Sequence, residues 1–128
     1  MAKNILIVDD EGLVTKGLKR LLTKEGYNAV VAVSGQEAIE KFKNSEFDLI
    51  VCDVRMPELD GLVTIEKIRQ LQNELAKKPV PEIIITGYAD EDKYKNALKL
   101  KVADYIFKPF DTGRFLEAIK RNLNVAEK

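Results

Sequence analysis

Short β-branched runs alternate with segments of helical spacing along the whole 128-residue chain, and this alternation narrows the fold more than any other feature. Residues 5–8, 29–33, 49–52, 83–85 and 105–107 each suit a strand of a few residues. Between them the apolar positions fall at helical intervals: Val14, Leu18, Leu21 and Leu22; then Ala38, Ile39 and Phe42; then Leu62, Ile65, Ile68 and Leu71. Nearly continuous apolar strands separated by helices imply a parallel sheet covered on both faces. The expectation is a doubly wound α/β fold of five strands and five helices, with residues 1–128 forming one domain.

The punctuation fits that reading. Gly26 follows the first helix as a left-handed cap would, and Ser34 with Glu37 makes the S-x-x-E capping box of the second. Asp90 and Asp111 stand where the N-caps of the last two helices are needed. Residues 75–81, with Lys77, Lys78 and two prolines, read as the most exposed connection, following a helix that runs unusually long.

Composition removes several classes of function. Lysine plus arginine and aspartate plus glutamate both total 21, so no net field draws the chain to nucleic acid or an anionic membrane. No apolar run approaches a membrane span, and the N-terminus turns polar at Asp9 before a signal peptide could develop. Cys52, the one cysteine, lies in an apolar run as a buried thiol and points to a reducing, cytoplasmic setting. Histidine is absent, which takes away the commonest general base and transition-metal ligand. Any chemistry must rest on carboxylates.

In open α/β sheets ligands bind beyond the carboxyl ends of the strands. Here the first strand ends in Asp9 and Asp10, the third in Asp53, the fourth in Thr86 and Gly87, and the fifth in Lys108 and Pro109. The second ends in the helix-opening Ser34, as an edge strand would in the order 2-1-3-4-5, which sets the three aspartates together over strands one and three. Carboxylates so close repel one another unless a cation compensates. An all-oxygen set selects a hard ion; Mg²⁺ suits a sparse site better than Ca²⁺, and Mn²⁺ can substitute. Taken singly, an Asp-Asp pair is usually a turn or cap, Lys108 a solvated charge, Thr86 a strand-end residue and Tyr105 half-buried filler. Their joint placement is what points to a site.

The strings V-D-D-E at 8–11, D-V-R-M-P-E-L-D-G at 53–61, I-T-G at 85–87 and D-Y-I-F-K-P-F at 104–110 resemble the receiver domain of two-component response regulators, whose fold is flavodoxin-like. The resemblance covers essentially the entire chain. It implies that Asp53 is the phospho-acceptor, that Asp10, Asp53 and the backbone carbonyl of Arg55 ligate Mg²⁺, and that Asp9 acts through a metal-bound water. Lys108 would pair with a phosphoryl oxygen, Thr86 would donate its hydroxyl, and Tyr105 would report activation through the face of helix four, strand five and helix five. Arg55, Gly87 and Tyr88 would tune the phosphate lifetime, and the Lys108–Pro109 peptide would be cis.

The implied partners are a histidine kinase or phosphotransfer protein as donor, and a protein target or an output domain as reader, with a monomer or a phosphorylation-dependent dimer as the assembly. With helix five expected to finish near Lys128, the chain reads as a stand-alone regulator or a receiver cut from a longer one. One departure stands out: Lys101 and Val102 replace the family's Gly-Ala after helix four, so altered geometry or mobility is expected there.

Three rivals compete. A haloacid-dehalogenase-type phosphatase needs a D-x-D pattern that Asp9-Asp10-Glu11 lacks, and a flavodoxin-like nucleotide binder needs a phosphate-friendly first loop where this chain has acids. An interaction domain that is never phosphorylated would have no use for the full set of Asp9, Asp10, Asp53, Thr86 and Lys108.

Overall fold

The computed structural model describes residues 2–56, 59–87 and 91–127, the side chains of 86, 87, 91–94 and 124–127 excepted. Strands and helices alternate throughout: β1 Asn4–Val8, α1 Gly12–Lys24, β2 Asn28–Ala32, α2 Gly35–Asn44, β3 Leu49–Asp53, α3 Gly61–Glu74, β4 Glu82–Gly87, α4 Glu91–Leu100, β5 Asp104–Lys108 and α5 Thr112–Glu127. All four strand pairings are parallel, in the order β2-β1-β3-β4-β5. This is the expected five-stranded, doubly wound architecture.

Each strand buries alternate residues on opposite faces, as a period of two requires. Leu6, Val8, Ile50, Cys52 and Ile84 face one layer, where Phe42, Ile65, Ile68 and Ala97 meet them. Ile5, Ile7, Leu49, Val51, Ile83, Ile85 and Ile106 face the other, against Leu18, Leu22, Phe115 and Ile119. Burying each such side chain contributes about 1.5–3 kcal/mol. The strands outrun their apolar cores because backbone pairing is indifferent to side chains: β3 takes in Asp53, β4 opens on Glu82 and β5 spans Asp104 to Lys108. β2 stops short of the expected Val33, which is half exposed where the edge strand turns toward Ser34.

Gly26 has φ +91°, and Ser34 Oγ accepts the Glu37 N–H at 3.1 Å. Asp111 accepts the Arg114 N–H at 2.7 Å and opens α5; Asp90 lies outside the described residues. Two expectations are corrected. At 14 residues α3 is shorter than the 16-residue α5, because Ala76 takes φ 52° and ends it. The connection after it is exposed only in part: Lys77 folds inward and donates to the carbonyls of Phe42 and Ser45 at 2.9 and 3.0 Å. Its ammonium satisfies carbonyls that the end of α2 leaves open.

Lys101 holds φ 57°, so the left-handed turn after α4 is kept although no glycine is there. The backbone is not rerouted; the lysine bears a strain on the order of 1 kcal/mol. Among the described residues, no helix is long and apolar enough to cross a membrane.

Candidate functional site

Parallel strands deliver their last residues to one edge of the sheet. Val8 pairs in register with Cys52, so Asp9 and Asp53 emerge side by side, and Gly87 pairs with Lys108 two strands away. The Asp9 N–H donates to the Ala32 carbonyl and the Val54 N–H to the Ile85 carbonyl, both at 3.1 Å, so the backbone on either side of the site is fixed by sheet bonds.

One carboxylate oxygen from each of Asp9, Asp10 and Asp53 lies within 4.8 Å of the other two. Asp9 and Asp53 are 1% and 4% exposed, whereas Asp10 faces solvent. Asp53 Oδ1 accepts the Arg55 N–H at 3.2 Å and Oδ2 accepts from Lys108 Nζ at 3.2 Å. The same ammonium stands 3.9 Å from Glu11 and 4.0 Å from Asp9 Oδ2. One cation therefore serves three acids.

Asp9 carries the imbalance. Its Oδ1 accepts the Glu11 N–H at 3.0 Å, but its buried Oδ2 has no hydrogen-bond partner among the described residues. Burial, reinforced by the charge of Asp53, pushes its pKa up to about 6, against the lowering effect of the Glu11 N–H and Lys108. Burial also works against the charged form of Lys108, but Asp53, with Asp9 and Glu11, outweighs it and holds that pKa above its usual value. A buried, unbonded carboxylate oxygen facing two further carboxylates fits a hard divalent cation with oxygen ligands.

The start of α3 approaches this site closely at Gly61. A Cβ there would stand 2.2 Å from the Asp53 carbonyl oxygen, and the Gly61 N–H donates to Val54 O at 2.9 Å. Asp60 caps α3 at the same point, its Oδ1 accepting from Leu62 and Val63 at 2.9 and 3.0 Å. A second close approach lies beside it, where a Cβ on Gly35 would meet Thr64 Oγ1 at 2.2 Å and Leu59 at 2.8 Å.

Of the residues expected from sequence, Asp9, Asp10, Asp53 and Lys108 are together, and the Lys108–Pro109 peptide is cis. Arg55 directs its N–H to Asp53. Thr86 and Gly87 reach the same edge as backbone, paired with Phe107 and Lys108, while their side-chain positions and all of Tyr88 lie outside the description. Tyr105 is half-buried against the layer containing Ala97 and Val102. Cys52 is buried, and burial raises its thiol pKa well above normal, so it is inert beside the acids. Sequence reasoning gave no role to Asp60, Gly61 or Glu11. An Asp-Gly pair just before the apolar spacing of α3 was the available sign of the first two.

Known proteins agree with this arrangement. The family model of the response regulator receiver domain matches residues 5–120. The chain is 34% identical over 125 residues to the chemotaxis protein CheY of Bacillus subtilis, covering 97% of this chain and 100% of that one. It is 36% identical over 120 residues to the transcriptional regulatory protein ZraR of Salmonella typhimurium, covering 94% of this chain; it spans 26% of that relative's length. Among solved structures, the receiver domain of the sensor histidine kinase PA1611 from Pseudomonas aeruginosa superposes with a TM-score of 0.85 at 27% identity, over 97% of this chain and 99% of that one. That protein holds a magnesium ion in its active site cleft. With its fold, its acidic strand ends and its Lys-Pro turn all in place, the chain belongs to the response regulator receiver family of two-component signalling.

Proposed function

We propose that Asp53 accepts a phosphoryl group from the phosphohistidine of a histidine kinase or phosphotransfer protein, and that the chain works as a phosphorylation-controlled switch. The observation that carries this reading is the buried Asp53 carboxylate, set against Lys108 at 3.2 Å and within 4.8 Å of two further carboxylates. A carboxylate needs no deprotonation to act as a nucleophile at neutral pH. An oxygen of Asp53 forms the new O–P bond while the donor's P–N bond breaks, and the electron pair leaves with the imidazole, which takes its proton from solvent. These 128 residues contain no histidine, so the phosphohistidine donor lies outside them.

Asp10, Asp53 and the carbonyl of Arg55 would hold Mg²⁺, or Mn²⁺ in its place, with Asp9 acting through a bound water. When bound, the ion neutralises charge on the transferring phosphoryl oxygens. The unbonded Asp9 Oδ2 and the all-oxygen donor set support that assignment, as does the magnesium in the PA1611 receiver domain. Lys108 exchanges its bond to Asp53 for one to a phosphoryl oxygen. The modified side chain then carries about 1.5–2 negative charges where the carboxylate carried one.

Thr86 donates its hydroxyl to the new oxygens, and Tyr105 follows by repacking against α4 and β5. Arg55, Gly87 and Tyr88 border the path of the water that hydrolyses the acyl phosphate and so set its lifetime. The protein catalyses only its own phosphorylation and dephosphorylation. It acts in the cytoplasm without contacting nucleic acid itself, as a monomer or a phosphorylation-dependent dimer, and is read by a protein target or by an attached output domain.

Incubation with acetyl phosphate and Mg²⁺ is expected to give an adduct that hydroxylamine removes and that EDTA prevents. An adduct that resists hydroxylamine, or one that forms equally well in EDTA, contradicts the acyl phosphate and the metal assignment respectively. Calorimetric titration with Mg²⁺ is expected to show binding that Asp10→Ala abolishes.

A further inference from the structure

At the end of the sheet opposite the aspartates, Arg69 of α3 grips Glu82, the first residue of β4. Nε and Nη2 bond the two carboxylate oxygens at 2.8 and 2.6 Å, and Glu82 is buried. The third nitrogen, Nη1, donates to the carbonyl of Leu100 at 2.7 Å. One planar guanidinium thus ties three elements, which a lysine ammonium could not do in the same geometry.

Leu100 is the last residue of α4, and its carbonyl is one of the acceptors a helix end leaves open. The chain turns away at once: Lys101 enters the left-handed region and bonds back to Leu98 O at 3.1 Å, and the Ala103 N–H donates to Glu82 O at 2.9 Å. Both sides of the turn are therefore fastened to the Arg69–Glu82 unit. In this part of α4 Ala97 is buried and Leu100 half-buried, while Lys95, Asn96, Leu98 and Lys99 are exposed. A groove of about 270 Å³ separates Asp60, Val63 and Glu66 from Asn96, Lys99 and Leu100 in the C-terminal half of α4.

We propose that the Arg69–Glu82 pair clamps the last turn of α4 at the Leu100 carbonyl, so that α4 moves in switching as a lever pivoting about its C-terminal end. A helix of 10 residues is about 15 Å long, so a small rotation about Leu100 displaces chiefly the end that follows β4. The clamp is a property of the unmodified protein; the lever rests on the phosphoryl reading above.

Amide hydrogen exchange followed by NMR tests both parts. Arg69→Lys keeps a charge for Glu82 but loses the planar third donor, and Arg69→Met/Glu82→Ile replaces the pair with apolar volume so that the fold survives. In the unmodified protein, amides of the last turn of α4 should exchange roughly tenfold faster in both variants, with the central strands unchanged. Exchange equal to wild type in both would remove the clamp.

With acetyl phosphate and Mg²⁺ added and the adduct confirmed by intact mass, wild-type changes should concentrate in the first half of α4. Exchange in its last turn should stay within about twofold. Equal changes at both ends would overturn the lever. Absence of any adduct would refute the phosphoryl reading and the lever with it, and the clamp would still be decided by the unmodified variants.

Discussion

At the amino end of the sheet Glu82 is buried with a guanidinium bonded to both its oxygens, whereas at the carboxyl end Asp9 is buried with one oxygen unbonded and two carboxylates beside it. Desolvation penalises both acids. At Glu82 the chain supplies the compensating charge from α3, and the result joins elements together. At Asp9 the nearby cation, Lys108, is divided among three carboxylates, and the deficit is a demand for a ligand. The difference between an internal tie and a binding site is whether the charge closes within the chain.

The largest test of that contrast is Arg69→Met, which strands Glu82 without a partner. It is expected to lower the unfolding free energy in urea by about 3–5 kcal/mol. Next comes Gly61→Ala, whose methyl group collides with the Asp53 carbonyl; a loss of about 1–3 kcal/mol is expected, with weakened Mg²⁺ binding by calorimetry. Asp9→Asn should act in the opposite direction to Arg69→Met, relieving like-charge crowding and raising metal-free stability by on the order of 1 kcal/mol. If Asp9→Asn destabilises the metal-free protein as Arg69→Met does, the two ends are not different in kind.

The pH dependence sharpens the same point. Because Asp9 titrates near 6 in the folded state, above its usual value of 3.8, folding favours its protonated form. That stabilisation is complete below about 3.8 and is lost as pH rises through about 6. Metal-free protein should therefore lose this contribution between those values, and millimolar Mg²⁺ should raise the melting temperature more at neutral pH than near pH 5. An equal Mg²⁺ effect at both would place the ion away from Asp9. The smallest effect belongs to Lys101→Gly, which relieves a left-handed lysine but loosens the unfolded chain; a gain under about 1 kcal/mol is expected by thermal unfolding.

The fold was legible because its signals are local. Apolar runs, helical spacing, Gly26, Ser34 and Asp111 each act over a few residues, and the strand order brought Asp9, Asp10, Asp53 and Lys108 to one edge as the topology requires. What the sequence hid depends on distant contacts. Lys77 looked like an exposed charge because its acceptors, the carbonyls of Phe42 and Ser45, lie at the end of another helix. Arg69 and Glu82 lie 13 residues apart in different elements, and neither residue alone announces a buried pair. Gly61 was readable as part of a family string, but only the approach of the Asp53 backbone shows why a side chain is excluded there.

The central claim is that the unbalanced acids at the carboxyl end of the sheet exist to phosphorylate Asp53. Intact mass spectrometry after incubation with acetyl phosphate and Mg²⁺, comparing the wild type with Asp53→Asn, tests it most directly. The account predicts a single phosphoryl adduct on the wild type and none on the variant. An unmodified wild type, with a cognate histidine kinase present as well, or an adduct that persists in Asp53→Asn, would contradict it.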